Sequence, residues 1–306
     1  MAGYATLPRL LDARRLRAAG LALRTDPATA AQSRDPDPEL VAAVSDPFET
    51  VDGVLDRLRG LERRLRAAGD RRAVFLTIYT RMTAAVRDAI DAGRFDDPAW
   101  MRRYTVTFAD YYRRAFRDFE RGTLGAVPDP WIVAFSTAVE GSALVAQDAF
   151  LGINAHINYD LALTLRDVGI DPHRRRKRAD HDRIDAVLAD LIDAQQAALA
   201  DLYAPGIDDI DAALGRLDEA FTLFSMTEGR AWAWRVGTVL TDVGWGLARR
   251  YTRWVLRATA TGGAVFVRSP PVDPRIVAAL RDAERGRSLD DALADLGSRL
   301  DRATGG

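Results

Sequence analysis

Gly152-Ile153-Asn154-Ala155-His156-Ile157-Asn158-Tyr159-Asp160-Leu161 closes an apolar run that opens at Trp131 and is interrupted by Glu140, Gln147 and Asp148. Asp129-Pro130 has the chemistry of a helix start, and Gly169 followed by Asp171-Pro172 that of a stop. The spacing therefore predicts one helix over about 129–167, apolar on all its faces and so buried on all of them. Three polar interruptions keep it short of the roughly 18–20 uncharged apolar residues that a membrane span needs. The fold expectation is an all-α single helical bundle, with this long buried helix at its centre and helices at about 97–122, 180–202 and 227–260 around it.

The segments on either side read the same way. Val54, Leu55, Leu58, Leu61 and Leu65 recur at three- and four-residue spacing between charged residues, which makes an amphipathic helix of Val51 to Ala68. Arg71 to Ala92 continues the pattern. Asp96-Asp97-Pro98 offers an aspartate cap and a proline in the first turn, opening an aromatic-rich helix that Gly122 ends. Further helices are expected at about 208–226, 272–286 and 288–303, and a basic loop at His173 to Arg178. Gly262 to Val267 is the one strand-like stretch, too short and isolated to make a sheet. Asp-Pro pairs at 26–27, 35–36, 37–38 and 46–47 make residues 1–49 a loop-rich segment, leaving 50–268 as the bundle core and 269–306, after Pro270-Pro271, as a helical appendage.

Composition removes several classes of function. The 43 basic side chains, of which only Lys177 is a lysine, meet 44 acidic ones, so no global field draws in nucleic acid or an anionic membrane. With no cysteine, disulfides, thiolate metal sites and cysteine nucleophiles are excluded, and a reducing cytoplasm is the expected compartment. Arg9, Arg14, Arg15 and Arg17 interrupt the first residues, so no signal-peptide core is read there. Glycine-rich phosphate loops, a Gly-x-Ser-x-Gly elbow and His-Glu-x-x-His are all missing from the chain.

The polar residues of the central run carry the functional signal, because an unpaired polar group in a core costs roughly 2–7 kcal/mol. On a regular helix Glu140, Gln147, Asn154 and Asn158 share one stripe, while His156 and Asp160 form an i,i+4 pair on a nearly opposite face. Either a break at Gly152 swings the histidine round to join the stripe, or the helix feeds two separate polar clusters. His156 and Asp160 can share a ligand, or Asp160 can set the histidine's tautomer. His181 and Asp185 repeat the spacing on the next helix. Three histidines and many carboxylates favour magnesium, manganese or iron over structural zinc for any divalent metal held by His156, Asp160, Asp180, His181 and Asp185.

The motif Gly152 to Asn158, with Asp160-Leu161, resembles the signature of a bacterial and archaeal helical family of unknown function. Phe95-Asp96-Asp97-Pro98-Ala99-Trp100, Asp180-His181-Asp182-Arg183 and Glu228-x-Arg230-Ala231-Trp232 are similar to its lesser motifs in the same order, so the resemblance spans roughly residues 50 to 260. Members often show His where this chain has Asp148, and Asn where it has Asp185. The resemblance implies no activity, but it does imply a shared interior site.

The functional expectation is a small-molecule enzyme with His156 and Asp160 as ligands or acid/base pair, Asn154 and Asn158 positioning substrate, and Asp148, Asp180, His181 and Glu228 assisting. The rival is a non-catalytic protein binding an apolar or isoprenoid-like ligand in a pocket walled by aromatic helices, including the tryptophan-rich one after Ser225. A third reading compares Asp96-Asp97 and Arg250-Tyr251 with class I terpene cyclases, although Pro98 makes the aspartates look like a helix cap.

Overall fold

Gly141, with φ of 64°, divides the middle of the chain. Its amide donates to the Thr137 and Ala138 carbonyls and ends one helix; three residues on, the Leu144 amide donates to Gln147 Oε1 and starts the next. The single helix expected over 129–167 is therefore two, because a left-handed glycine terminates the first and a side-chain cap opens the second.

The computed structural model describes residues 7, 10–31, 35–203, 226–271 and 273–304. Its helices are α1 (Ala13–Ala22), α2 (Pro27–Ala30), α3 (Pro38–Ala43), α4 (Val51–Ala67), α5 (Ala73–Asp91), α6 (Pro98–Glu120), α7 (Asp129–Glu140) and α8 (Val145–Ala155). They continue as α9 (Leu161–Val168), α10 (Arg174–Tyr203), α11 (Met226–Asp242), α12 (Gly246–Arg268), α13 (Pro274–Arg285) and α14 (Leu289–Thr304). Between α8 and α9, His156–Asp160 form a π-helical turn in which the Leu161 amide donates to the His156 carbonyl. No strand occurs among the described residues, and none of their helices is long and apolar enough to cross a membrane.

The all-α expectation holds, with four local corrections. Gly262 to Val267 is the C-terminal part of α12 and no strand; Gly262 is there because α1 crosses so closely that a Cβ would lie 1.7 Å from the Ala18 carbonyl oxygen. The helix expected over 227–260 is broken between Asp242 and Gly246. The basic loop at 173–178 is instead the first turn of α10: Arg174 pairs with Asp171 and Asp242, and Lys177 Nζ donates to the Gly169 and Asp171 carbonyls. Nor does α10 flank the centre closely, since it packs chiefly against α14 and α5. The helix expected at 208–226 lies almost wholly outside the described residues.

A central layer of α8, the π turn and α9 is packed by α5, α6, α7, α11 and α12. One cluster of buried apolar side chains runs from Leu10 to Leu300. Glycines allow the closest approaches within it. A Cβ on Gly152 would lie 2.3 Å from the Phe75 ring, and one on Gly229 would lie 2.7 Å from Ile157 and 2.8 Å from Asn158.

Candidate functional site

The polar residues from the end of α7 through α8 and the π turn face two ways, the second of the alternatives that the spacing allowed. One row points at α12 and is structural. Glu140 pairs with Arg268 at 2.8 Å, Gln147 Nε2 donates to the Val267 carbonyl at 2.7 Å, and Asn154 Nδ2 donates to the Ala260 carbonyl at 2.8 Å. Asn158 Nδ2 donates to Asn154 Oδ1 at 3.1 Å and holds that amide in place. The row ties the central layer to α12 by satisfying buried carbonyls, which accounts for the asparagines without a substrate.

His156 points to the opposite side, into an aromatic enclosure. Phe108 stacks on the imidazole at 3.6 Å between ring centres and 8° between planes; Tyr79 meets it edge-on at 4.5 Å, with Phe75, Trp131 and Tyr112 beyond. Nδ1 lies 2.9 Å from Asp160 Oδ2, and that oxygen also accepts from Trp131 Nε1 at 2.8 Å. Trp131 can only donate and a carboxylate only accepts, so Nδ1 carries the proton and Nε2 keeps a lone pair. Nε2 is buried and has no hydrogen-bond partner among the described residues, and neither do Asp160 Oδ1 or Tyr79 Oη. Burial pushes His156 below its usual value against the pull of Asp160, and pushes Asp160 up against the pull of His156. The imidazole is accordingly neutral at pH 7, with an aspartate in the position that orients a general base.

A cavity of about 70 Å³ lies against this imidazole, walled mainly by α5, α6 and α10 side chains: Phe75, Tyr79, Met82, Phe108, Ile184 and Leu188 among them. Its polar groups are His156, Tyr79, Tyr104, Arg230, Thr83 and Thr105. The two threonine hydroxyls donate to their own helix, to the Tyr79 and Met101 carbonyls, and keep only acceptor capacity toward the cavity. Arg230 donates to Asp185 at 2.5 Å and to the His181 carbonyl.

His181 is a control inside the same molecule. Its Nδ1 lies 3.0 Å from Tyr104 Oη and its Nε2 3.1 Å from the Arg230 carbonyl, so both nitrogens are satisfied. Burial pushes it well below the usual histidine value, with Arg230 adding to the effect. It is a packed structural histidine; His156, equally buried, has one nitrogen left over.

The remaining sequence-derived candidates are dispersed. Asp180 accepts from the Asp96 and Asp97 amides at 2.8 Å each and pairs with Arg183, fastening α10 to the start of α6. Asp97 caps α6 by accepting from the Trp100 amide, which removes it from any diphosphate motif. Asp185 serves Arg230. Glu228 is on the surface, paired with Arg14. Asp148, well away on Arg71, is pushed up to about 7 by burial, against that arginine's pull. His156, Asp160, Asp180, His181 and Asp185 are thus not gathered into one ligand shell, and among the described residues no three metal-ligating side chains are placed to hold an ion. Tyr79, Phe108 and Trp131, which shape the site, are not singled out by the sequence; only their contact with a histidine far along the chain marks them out.

A family model described as "Family of unknown function (DUF5995)" matches residues 51–270. No curated protein and no solved structure matches the chain.

Proposed function

The chain belongs to that family of unknown function, so its activity has to be argued from the site, and we propose an acid–base enzyme for a small, largely apolar molecule, with His156 as proton acceptor. Asp160 is the positioning residue: it holds the Nδ1–H tautomer and offsets the charge that forms when Nε2 takes a proton. Trp131 fixes the carboxylate in turn. Phe108 and Tyr79 hold the ring in place and keep water from competing. One observation carries this reading: Nε2 of a fully buried, aspartate-oriented histidine has no hydrogen-bond partner among the described residues, and that histidine lines a cavity. An unsatisfied buried acceptor costs about 1–3 kcal/mol, a cost that a small bound donor would offset.

The occupant is small. An engineered cavity of about 150 Å³ holds benzene, and this one, at about 70 Å³, is half that. It takes a molecule of a few heavy atoms, or the hydroxyl-, carbonyl- or amide-bearing end of a larger one. A divalent metal is not part of this proposal, since Asp180, Asp185 and His181, which would complete its shell beside His156 and Asp160, are engaged elsewhere.

The test is a thermal-shift survey of short-chain alcohols, ketones, amides and acids against the wild-type protein and His156→Gln. Stabilisation of the wild type that the variant loses supports the site. Equal stabilisation of both supports the second reading, a non-catalytic apolar pocket, which the mostly hydrocarbon wall favours. Turnover of a stabilising compound, abolished in Asp160→Asn while binding persists, separates enzyme from binder.

A further inference from the structure

The total charge of −1 conceals an uneven distribution. From Val243 to Val272 there is no Asp or Glu, while Arg249, Arg250, Arg253, Arg257 and Arg268 all fall in the same stretch. Most of it is α12, whose inner face is buried through Ala248, Thr252, Val255, Leu256 and Thr259.

The outer face of its first half is unusual for a protein surface. Trp245 and Leu247 are each 60% exposed, Trp254 43% and Tyr251 37%, and they make up four of the six large hydrophobic residues that stand exposed among the described residues. At 100° per residue, Leu247, Tyr251 and Trp254 lie within an arc of roughly 60°, and Trp245 caps the same end. Arg250, about 40° beyond Trp254, and Arg253, about 100° beyond it on the outer face, are exposed and have no ion pair among the described residues, while Arg257 is held by Asp129. An exposed stripe of Trp, Tyr and Leu beside unpaired arginines on an otherwise acid-free helix has the composition of an interfacial helix: the rings sit at headgroup depth and the guanidinium groups meet lipid phosphates.

We propose that the first half of α12 is a peripheral docking face for an anionic lipid surface, with Trp245, Leu247, Tyr251 and Trp254 entering the headgroup layer and Arg250 and Arg253 pairing with phosphates. Charge complementarity selects this occupant. A second copy of the chain would set the same arginine-bearing patch against itself, since a two-fold contact is isologous, and α12 has no acidic side chain of its own to offset Arg250 and Arg253. The contact is superficial, as no described helix is long and apolar enough to span.

The experiment is flotation of the full-length protein with vesicles of phosphatidylcholine alone and with vesicles containing phosphatidylglycerol, at low and high salt. Expected is binding to the anionic vesicles, weakened by salt, and reduced about five-fold for each arginine removed in Arg250→Ala and Arg253→Ala. Trp254→Ser should also lose binding, with an unchanged circular dichroism spectrum. Equal binding to both vesicle types, or none to either by a folded protein at low salt, overturns the proposal. So does a dimer in sedimentation that Trp254→Ser dissociates, which would make the stripe a contact between copies. The result does not depend on His156.

Discussion

Asp160 Oδ2 accepts from two sides, from Trp131 Nε1 at 2.8 Å and from His156 Nδ1 at 2.9 Å, in a part of the molecule where none of the three side chains meets solvent. Those two bonds settle the carboxylate's direction and, through it, the tautomer of the histidine. The other carboxylate oxygen and the other imidazole nitrogen are left without partners among the described residues. Trp131→Phe should therefore cost about 1–3 kcal/mol through the orphaned carboxylate, beyond any repacking. Urea unfolding of wild type and variant measures it. A change below a few tenths of a kcal/mol would mean the indole does not hold Asp160.

The row facing α12 gives the opposite pattern. Asn154→Ala removes the bond to the Ala260 carbonyl and the acceptor of Asn158 Nδ2, so it should lower stability by about 1–3 kcal/mol while leaving any His156-dependent ligand response in place. Thermal shift with and without a stabilising compound reads both effects in one series. Loss of the response with little loss of stability would return the asparagines to the site.

Gly152→Ala should be destabilising, because the new methyl would meet the Phe75 side chain at 2.3–2.6 Å within a packed core that also walls the cavity. Overpacking of this kind costs about 1–3 kcal/mol. Gly152→Ala combined with Phe75→Leu should recover part of the loss, and a double-mutant cycle that is merely additive would show that the two positions do not touch.

Asp148 gives the pH prediction. Burial raises its folded value to about 7, above the ordinary aspartate value of 3.8, so the folded state binds a proton more tightly than the unfolded one. The stability this contributes is fully present below about 3.8 and is lost as pH rises through about 7. The histidines push the other way: His156 and His181 are lowered, so their contribution is present above 6.5 and falls away as pH drops. The difference between wild type and Asp148→Asn isolates the aspartate, and wild type should lose ground to the variant between pH 4 and pH 7. A constant difference across that range would contradict the raised value.

Much of the fold was legible because helical periodicity and caps are local. The periodic runs at 51–68, 71–92 and 97–122 became α4, α5 and α6 to within a few residues, and Asp97-Pro98 proved to be the cap it looked like. Gly141 was passed over because an apolar run hides a left-handed glycine, and Gly262 was misread because its reason is the backbone of Ala18, more than two hundred residues away. The site was half legible for the same reason. The His156–Asp160 spacing is local and gave the pair. The ring that stacks on His156, the indole that holds Asp160 and the carbonyls that occupy Asn154 and His181 come from other helices, and no spacing along the chain encodes them.

The three histidines make the central claim directly measurable by long-range proton–nitrogen correlation on histidine-labelled protein, recorded with and without a short-chain alcohol. The account predicts that His156 carries its proton on Nδ1, stays neutral through pH 6.5, and shows an Nε2 lone-pair signal that moves when the alcohol is added, while His181 does not respond. A proton on Nε2 of His156, or an Nε2 signal indifferent to every small donor tried, would contradict it.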